Sequence, residues 1–390
     1  MNLRLLYVHV LPVDALAANA VQVLKMCQAF ADQGVSVTLA VPAGSKASTE
    51  EQHKRAIESK LGRYPSFAII TFKQYTVFGR LKLLGSYFAV KKVLARLRPD
   101  VVFLRNIVLV RAAVKTGVPF IYESHNSLMH NRSKILDSYW TKYILKTAPD
   151  PLMKKFIAIS GALGKYWRDK GIPQEKLLEL HDGFDAACFE HETSKSDARD
   201  QTGLPQDIKI ALYMGSLYAD REIENILRLA ERMPDLHFVV VGGSTSEKEA
   251  LIAIADRRGQ KNIVFLGSVN HSDVPTYLFS ADILLMTWSR KVKTIEFCSP
   301  LKLFEYMAAG RIIVGHGFST IREVLTDGEN AYLADPDMPE ELYLKMRQAA
   351  DELPDEFGRK ARRLAFQKYS WESRTRELIK HTFDHSVTER

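Results

Sequence analysis

Short apolar runs alternate with longer amphipathic segments along the chain, and this alternation is the strongest constraint on its fold. In the first half the strand-like runs are residues 35–41, 67–72, 101–104, 119–123 and 156–159. In the second half they are residues 209–214, 236–241, 262–266, 283–286, 311–314 and 331–333. Strands separated by helices predict parallel, doubly wound sheets, in which ligands bind at the carboxyl ends of the strands. The sequence therefore predicts an α/β fold.

The domain division is predicted from the stretch between residues 182 and 206, because residues 190–200 are polar and give few strand or helix signals. A chain of 390 residues with 46% hydrophobic content is long enough to build two cores. We expect a first domain over residues 1–185 and a second over residues 186–370. Residues 370–388 are predicted to form one charged helix.

Charge is distributed unevenly between the two halves. Residues 1–180 carry 27 Lys and Arg against 12 Asp and Glu, a net charge of +15, whereas the remainder carries −7. Residues 78–98 combine six basic residues with an apolar face at helical spacing and include no acid. Such a helix is either a site for an anionic membrane surface or an ordinary core helix with a solvated basic face. No nucleic-acid recognition module accompanies the charge, so nucleic acid is not expected as a partner.

Several common types of site find no support in the sequence. There is no GxGxxG or GxxxxGK[ST] motif, so neither a simple dinucleotide domain nor a P-loop nucleotidase is indicated. Cys27, Cys188 and Cys298 show no metal-ligand spacing, which favours a reducing compartment over a structural zinc or a disulfide framework. No apolar run approaches the ~20 residues of a membrane span, and no signal peptide is recognisable. We therefore expect a cytoplasmic protein.

Residues 298–310 carry the clearest signal for a site. Ser299 is a good N-cap, Pro300 suits the first helical position and Gly310 suits the end of the helix. The first turn of such a helix attracts anions, and Lys302 adds a cation where one normally costs ~0.3–1 kcal/mol. This placement indicates a diphosphate, and Glu305 on the same face is placed to accept hydrogen bonds from hydroxyls. The alternative is a capped core helix with a local Lys–Glu pair.

A second cation occupies a similar position earlier in the same half. Arg221 follows the strand end at Gly215 and Ser216 and lies at the predicted start of a helix. It therefore repeats the unusual position of Lys302, and the two cations indicate one anion. Two unrelated surface cations are the alternative.

Other predicted strands also end in residues that a core does not require. Gly242 and Gly243 follow one strand, and Gly267 to Val269 follow the next, which leaves room for close backbone approach. In the first half, His125 follows Glu123 at the carboxyl end of a strand. A structural and a catalytic role are both open for this histidine.

These segments, taken in order, resemble the retaining glycosyltransferases of family 4, which have the GT-B fold. The second half matches through Arg221 and through YMGSL (213–217), VVVGG (239–243), VFLGSV (264–269), SPLKLFEYMAAG (299–310), IREVL (321–325) and DGENA (327–331). The first half matches through NAVQV (19–23), QGVSVT (33–38), ESH (123–125), AIS (158–160) and HDGFD (181–185). The resemblance covers nearly the whole chain.

The resemblance implies two Rossmann-like domains that face a central cleft, with residues 371–390 crossing back to the first domain as a helix. It implies a UDP- or GDP-sugar donor held in the second domain and a saccharide or lipid-linked acceptor held mainly by the first. It also implies transfer with retention, in bacterial surface polysaccharide or glycoconjugate synthesis, at the cytoplasmic face of the inner membrane. No metal or other cofactor is expected, because Arg221, Lys302 and a helix terminus already offset the charge of the diphosphate.

The resemblance also assigns roles to residues. Arg221 and the backbone N–H groups of the first turn at residues 300–302 would neutralise the diphosphate, although Pro300 itself can donate none. Glu305 matches the second glutamate of the family's Glu-x7-Glu motif and would bind the ribose. His125 would lie beside the transferred sugar. The candidate catalytic residues are thus His125, Arg221, Lys302 and Glu305. The further donor-binding candidates are Gly215, Ser216, Gly242, Gly243, Gly267, Val269, Ser299, Pro300 and Leu301.

The chain departs from the family pattern at three places. Phe297 replaces the first glutamate of the motif, with Glu296 beside it, and Ser216 stands where family members often have arginine. The loop before Asn19 is rich in alanine rather than glycine. The candidates for contact with the donor sugar or the acceptor are Asn19, Glu123, His125, Glu296 and Phe297. Two alternatives to a transferase remain, a nucleotide-sugar epimerase of the same fold and a non-catalytic nucleotide-sugar-binding protein.

Overall fold

A computed structural model describes residues 3–11, 18–43, 49–73, 82–127 and 134–383. The chain divides into two compact units. The first comprises the chain up to Asp182 together with the segment that starts at Trp371, and the second comprises Gly183–Ser370. The predicted division after residue 185 lies three residues further along the chain.

The first unit is built on a seven-stranded parallel sheet with the order β3-β2-β1-β4-β5-β6-β7. The inner strands are covered on both faces, which explains why they read as continuous apolar runs rather than as alternating ones. The strands are β1 (Arg4–Val8), β2 (Ser36–Pro42), β3 (Ala68–Phe72), β4 (Val101–Leu104), β5 (Phe120–Ser124), β6 (Met153–Ala158) and β7 (Leu177–Glu179).

The helices of this unit connect successive strands, as parallel pairing requires. Their bounds are α1 (Ala18–Asp32), α2 (Glu50–Leu61), α3 (Lys82–Leu97), α4 (Ile107–Thr116), α5 (Lys134–Thr147) and α6 (Gly161–Lys170). Asn106 and Ser160 cap α4 and α6 through their side chains, and each of these helices ends at a left-handed glycine. Neither α4 nor α5 was predicted from the sequence pattern.

The basic segment predicted over residues 78–98, of which 78–81 lie outside the described residues, contains helix α3. In α3 the apolar side chains of Val90 and Leu94 are fully buried, whereas Lys91 and Lys92 are exposed. Most of the apolar face is thus core, and the basic face is solvated. Phe88 is an exception, with 52% of its surface exposed.

The second unit is built on a six-stranded parallel sheet with the order β10-β9-β8-β11-β12-β13. The strands are β8 (Lys209–Met214), β9 (Leu236–Val241), β10 (Ile263–Gly267), β11 (Ile283–Met286), β12 (Ile312–His316) and β13 (Tyr332–Ala334). The helices are α7 (Lys195–Thr202), α8 (Ile223–Arg232), α9 (Thr245–Arg257), α10 (Val274–Ser280), α11 (Leu301–Ala309), α12 (Ser319–Arg322), α13 (Pro339–Glu352) and α14 (Asp355–Lys368).

The polar stretch at residues 190–200, which gave few strand or helix signals, contains the start of α7. The Ser194 side chain accepts from the N–H of Asp197, and Gly203 ends the helix. These capping residues carry the helix signal that the polar composition concealed.

The final helix, α15 (Trp371–Phe383), belongs to the first unit. It packs against α1, and the Gln33 side chain donates to the carbonyl of Glu372 at 3.0 Å. The fold class is therefore confirmed: two parallel, Rossmann-like sheets, with the last helix returning to the first. Among the residues that the structure describes, no helix has the length and apolarity needed to span a bilayer.

Candidate functional site

The carboxyl edge of the second sheet is lined by glycine backbone. The N–H of Gly215, after β8, donates to Val241 at 2.9 Å, and the N–H of Gly242, after β9, donates to Gly267 at 2.7 Å. Gly242 has a φ of 122°, and a Cβ atom there would collide with the carbonyl oxygen of Gly215. The absence of a side chain at Gly242 thus lets the loops after β8 and β9 pack closely against each other.

Helix α11 is anchored to the same edge. The Tyr306 hydroxyl accepts from the N–H of Met214 at 2.8 Å and donates to its carbonyl at 3.3 Å. The N-cap is Pro300 rather than Ser299, and no side chain caps the helix, so the predicted cap at Ser299 was wrong. Gly310 ends α11 in the left-handed conformation, as predicted. The first turn, without a side-chain cap, presents a positive dipole end at the strand termini.

Lys302 lies in this first turn, and its amine is buried. The Nζ atom lies 4.1 Å from the centroid of the Tyr213 ring and has no hydrogen-bond partner within the described part of the chain. Burial lowers the pKa of Lys302 to about 7, the charge of Arg221 acts in the same direction, and Glu305 opposes them. This amine is therefore a poorly solvated cation next to another cation. An anion at this position would stabilise both.

Arg221 lies elsewhere than predicted. It ends the 3₁₀ turn Ala219–Arg221, and α8 begins only at Ile223, so Arg221 is not part of a helical first turn. The Nε atom donates to the Ser216 hydroxyl at 3.4 Å. The Nη1 atom is buried without a hydrogen-bond partner in the described ranges, and the nearest ion-pair contact is Asp220 at 3.8 Å.

Two residues after β11 hold Arg221 in place, and sequence reasoning missed both. The Thr287 hydroxyl donates to the carbonyl of Arg221 at 3.0 Å. The Trp288 ring lies 5.0 Å from the Arg221 guanidinium carbon, and its Nε1 is buried with no hydrogen-bond partner among described atoms. Their position directly after a central strand is the signal that could have identified them.

The remaining donor-site candidates are distributed around this edge. Glu305 lies on α11 one turn after Lys302 and acts on its pKa. Ser299 is buried immediately before the helix, and Leu301 is its first residue. After β10, the Ser268 hydroxyl donates to the carbonyl of Gly243 at 2.7 Å, and Val269 packs against the core.

The surroundings of three candidates for the sugar or acceptor contact are as follows. Glu296 is exposed and lies 3.5 Å from the Arg290 guanidinium, a surface ion pair. Phe297 lies in a turn that its N–H closes with the carbonyl of Thr294 at 2.9 Å. Asn19 falls in the first turn of α1, but its side chain is outside the described part of the structure.

The first unit holds a second cluster, centred on Glu123 near the end of β5. The Glu123 carboxylate is fully buried, and it contacts His125 Nε2 at 2.7 Å, Arg374 at 2.8 Å and Arg105 at 3.2 Å. Burial acts to raise the pKa of Glu123. The charges of Arg374, His125 and Arg105 outweigh it and hold that pKa far below its usual range. The cluster is a buried ion network anchored by a permanent carboxylate.

The protonation of His125 follows from these neighbours. Burial, aided by the Arg105 charge, lowers the pKa of His125 to about 4 against the opposing effect of Glu123. The imidazole is therefore neutral near pH 7. Its Nε2 lies 2.7 Å from the Glu123 carboxylate and 2.9 Å from Arg105 Nε, and its Nδ1 lies 3.4 Å from Arg105 Nη2.

Asp182 and Gln22 extend the cluster. The Gln22 amide donates to Asp182 and lies 3.4 Å from Glu123. Burial raises the pKa of Asp182 to about 7; Arg374 opposes this and Glu123 adds to it. Sequence reasoning missed Gln22, Asp182, Arg105 and Arg374. Arg105 directly follows β4, which is the same positional signal that singled out His125.

Metal ligation has no candidate in the described ranges. No group of three or more His, Cys, Asp and Glu side chains there is arranged to hold an ion. The expectation of a metal-independent reaction stays a prediction.

The sequence of each unit matches a known family. Residues 20–187 match the model described as "Glycosyltransferase Family 4", and residues 194–364 match the model described as "Glycosyl transferases group 1". The chain belongs to glycosyltransferase family 4. This confirms the resemblance stated from the motifs.

Two curated relatives of this family 4 protein have names that refer to the synthesis of bacterial surface glycans. The chain is 24% identical to the lipopolysaccharide 1,2-N-acetylglucosaminetransferase of Salmonella typhimurium over 246 residues. The alignment covers 59% of this chain and 63% of that relative. It is 27% identical over 188 residues to the putative colanic acid biosynthesis glycosyl transferase WcaI of Escherichia coli, 46% of each chain. Each match thus spans less than two thirds of the relative.

Solved structures match over the full length and establish the GT-B architecture. Anabaena HepE in complex with UDP and glucose superimposes with a TM-score of 0.74 at 16% identity, covering 100% of both chains. Sucrose-phosphate synthase from Thermosynechococcus elongatus gives 0.76 at 15% identity, covering 99% of this chain and 100% of that one. Identities this low support the fold alone.

Proposed function

We propose that the chain is a retaining glycosyltransferase that moves a sugar from a UDP- or GDP-sugar to a saccharide or lipid-linked acceptor. One observation carries the proposal. Arg221 Nη1 and Lys302 Nζ are buried cationic atoms without hydrogen-bond partners in the described residues, at a glycine-lined edge beside the start of α11. Buried charges require a counter-charge. The Asp220 carboxylate lies 3.8 Å from Arg221 Nη1, too far for a hydrogen bond, and a diphosphate would supply a closer counter-charge to both cations.

The donor site would act mainly on the leaving group. As the anomeric C–O bond breaks, negative charge develops on the diphosphate, where Arg221, Lys302 and the α11 N–H groups stabilise it. Glu305 would accept hydrogen bonds from the ribose hydroxyls. The backbone at Gly267 and Val269 would contact the base.

The acceptor side would use the first unit. The acceptor hydroxyl would attack the anomeric carbon on the same face from which the leaving group departs. The departing phosphate oxygen would take the proton of that hydroxyl. His125 would lie beside the transferred sugar as a neutral group, since its pKa is lowered to about 4. In this role it orients hydroxyls and does not supply a charge.

The names of similar proteins support the cellular context. Relatives are named for lipopolysaccharide and colanic acid synthesis, and one structural neighbour is described with UDP and glucose. We therefore favour a UDP-sugar donor, a bacterial surface polysaccharide or glycoconjugate product, and a cytoplasmic location.

The decisive experiment combines binding with product analysis. Thermal shifts against UDP-, GDP- and ADP-sugars identify the donor, and mass spectrometry of reactions with an acceptor panel identifies the product. Arg221→Ala and Glu305→Ala should abolish transfer while the protein stays folded. Arg228→Ala, an exposed arginine of α8 paired with Glu224 at 3.6 Å, is the matched control and should remain active. Near-normal activity of both site variants would refute the assignment.

A non-catalytic binding protein is the second candidate, because Phe297 replaces the glutamate that reads the sugar in the family. It predicts tight donor binding with no turnover on any acceptor. Incubation with donor alone separates the epimerase alternative, since an epimerase needs no acceptor to form product.

A further inference from the structure

Exposed apolar side chains are concentrated on two helices of the first unit, α5 and α3. On α5, Ile135 is 82% exposed, Leu136 56% and Tyr139 46%, and Phe88 on α3 is 52% exposed. Four of the eight large apolar side chains that are exposed among the described residues lie on these two helices. Single exposed apolar residues are ordinary, but a cluster marks an interaction surface.

Helix α4 connects helices α3 and α5. Helix α4 packs against α3 on one side and α5 on the other, and the Arg111 guanidinium of α4 lies 3.4 Å from the Tyr139 hydroxyl. On α5 the Trp140 ring packs edge-on against Tyr139 at 5.0 Å and against Tyr143 at 5.7 Å. We name the exposed surface of these three helices the α3–α5 face.

The α3–α5 face is almost purely basic. Its three helices carry nine Lys and Arg and one acid, Asp137, which is buried. The eight whose side chains the structure describes are all exposed; they are Lys91, Lys92, Arg96, Arg111, Lys115, Lys134, Lys142 and Lys146. A partner for this face must therefore be anionic and must also accept apolar and aromatic side chains.

We propose that the α3–α5 face binds the surface of an anionic lipid bilayer. Aromatic and aliphatic side chains enter the interface between headgroups and acyl chains, while lysines contact the headgroups. A second copy of the chain is a poor occupant, because it would oppose two equally basic faces. The assignment differs from the prediction for residues 78–98, since the apolar part comes from α5 and α3 supplies mainly charge.

The position of α5 relates this surface to the acceptor, a step that rests on the proposed function. Helix α5 follows β5 and therefore begins at the carboxyl edge of the sheet, where His125 lies. Ile135 and Leu136 occupy its first turn. A bilayer in contact with them would present lipid-linked acceptors at the same edge as His125.

Vesicle co-sedimentation of the full chain tests the surface. The protein should bind vesicles of phosphatidylcholine with phosphatidylglycerol at low salt, bind less at about 0.15 M salt, and not bind phosphatidylcholine alone. Ile135→Ser with Leu136→Ser should weaken binding at least tenfold. Replacing Lys134, Lys142 and Lys146 by glutamine should weaken it about fivefold per charge, because each contributes about 1 kcal/mol.

Matched controls come from the second unit. Met338→Ser with Leu344→Ser removes two side chains that are 61% and 60% exposed, and it should leave vesicle binding unchanged. Equal weakening by this pair would overturn the proposal, as would no binding at low salt or equal binding to neutral vesicles. Self-association in light scattering that the Ile135 and Leu136 variants abolish would assign the face to a second copy instead.

A comparison of acceptors separates this inference from the proposed function. The Ile135→Ser, Leu136→Ser variant should keep its rate on a water-soluble acceptor and lose at least tenfold on a vesicle-embedded one. Vesicle binding by a chain that transfers no sugar from any donor would refute the proposed function alone. Equal rates of wild type and variant on embedded acceptor would refute the acceptor step.

Discussion

The two units differ in whether their buried charged groups have partners within the chain. In the first unit, Glu123 has three charged or polar partners of its own chain within 3.2 Å, and the network is neutralised internally. In the second, Lys302 Nζ and Arg221 Nη1 are buried next to each other's charge without hydrogen-bond partners in the described part of the chain. The first arrangement fixes a shape. The second is suited to an anionic ligand, and the difference separates structural from binding charges.

The largest expected effect is on the stability of the first unit. Glu123→Gln removes the buried carboxylate that pairs directly with Arg374 and Arg105, which should lower the free energy of unfolding by about 3–5 kcal/mol. Urea denaturation measures it. Glu179→Gln, which removes an exposed partner of Arg168, is the control and should cost less than about 1 kcal/mol. A similar loss of unfolding free energy in both variants would show that the buried network stabilises the first unit no more than a surface ion pair does.

The second unit should respond in the opposite sense. Lys302→Met removes an unpaired buried cation, so the free energy of unfolding should stay the same or rise. Transfer should fall about 10²–10³-fold, because one donor to the developing diphosphate charge is lost. Urea denaturation measures the free energy of unfolding and steady-state kinetics measures the transfer rate, both on the same preparations of wild type and variant. Marked destabilisation with full activity would show that Lys302 is structural.

The pH dependence of donor affinity also tests whether Lys302 binds the diphosphate. Without ligand, the pKa of Lys302 is about 7, so the amine loses its proton as pH rises above 7. A bound diphosphate favours the charged form and raises that pKa, so affinity for a nucleotide sugar should fall by up to about tenfold per pH unit above 7. Calorimetric titrations should show this slope in wild type and not in Lys302→Met. Equal slopes would contradict the linkage.

The same shift predicts how the stability of the unliganded protein depends on pH. The ordinary pKa of lysine, 10.5, applies to the unfolded chain, which therefore binds the proton more tightly than the folded one. Between pH 7 and 10.5 the contribution of Lys302 to stability thus rises with pH. Lys302→Met lacks this contribution, so the free energy of unfolding of wild type minus that of the variant, from urea denaturation, should rise over this pH range.

The smallest effect is expected at Ser216, which positions Arg221 rather than carrying charge. Ser216→Ala removes one hydrogen bond to the Arg221 Nε and should weaken donor binding by about two- to tenfold, from ~0.5–1.5 kcal/mol. Binding titrations detect it. Ser246→Ala, on the exposed first turn of α9, serves as control and should change nothing.

The sequence predicted what local patterns encode. Strands such as β8 and β11 were located to the residue, because buried parallel strands are short apolar runs bounded by polar ones. Helix α4 was missed because its sequence, IVLVRAAVKT, is apolar enough to resemble a strand. Lys302 was found since a cation at a helix start is a local anomaly.

Residues that act through distant contacts could not be found in this way. Arg374 is separated from Glu123 by more than half the chain, and no local pattern links an arginine in a charged helix with a strand end. Trp288 resembles any aromatic core residue until the structure places its ring against Arg221. Charge pairing across a fold is set by topology, which composition and spacing do not contain.

The ion pair between Arg374 and Glu123 has a consequence for synthesis on the ribosome. All seven strands of the first sheet are made before the second unit, but Arg374 is made after it. Until then, the carboxylate of Glu123 has no access to one of its two arginines. We therefore expect the nascent first unit to be less stable while the second unit is translated. It reaches its full stability only when α15 has been made and packs onto it.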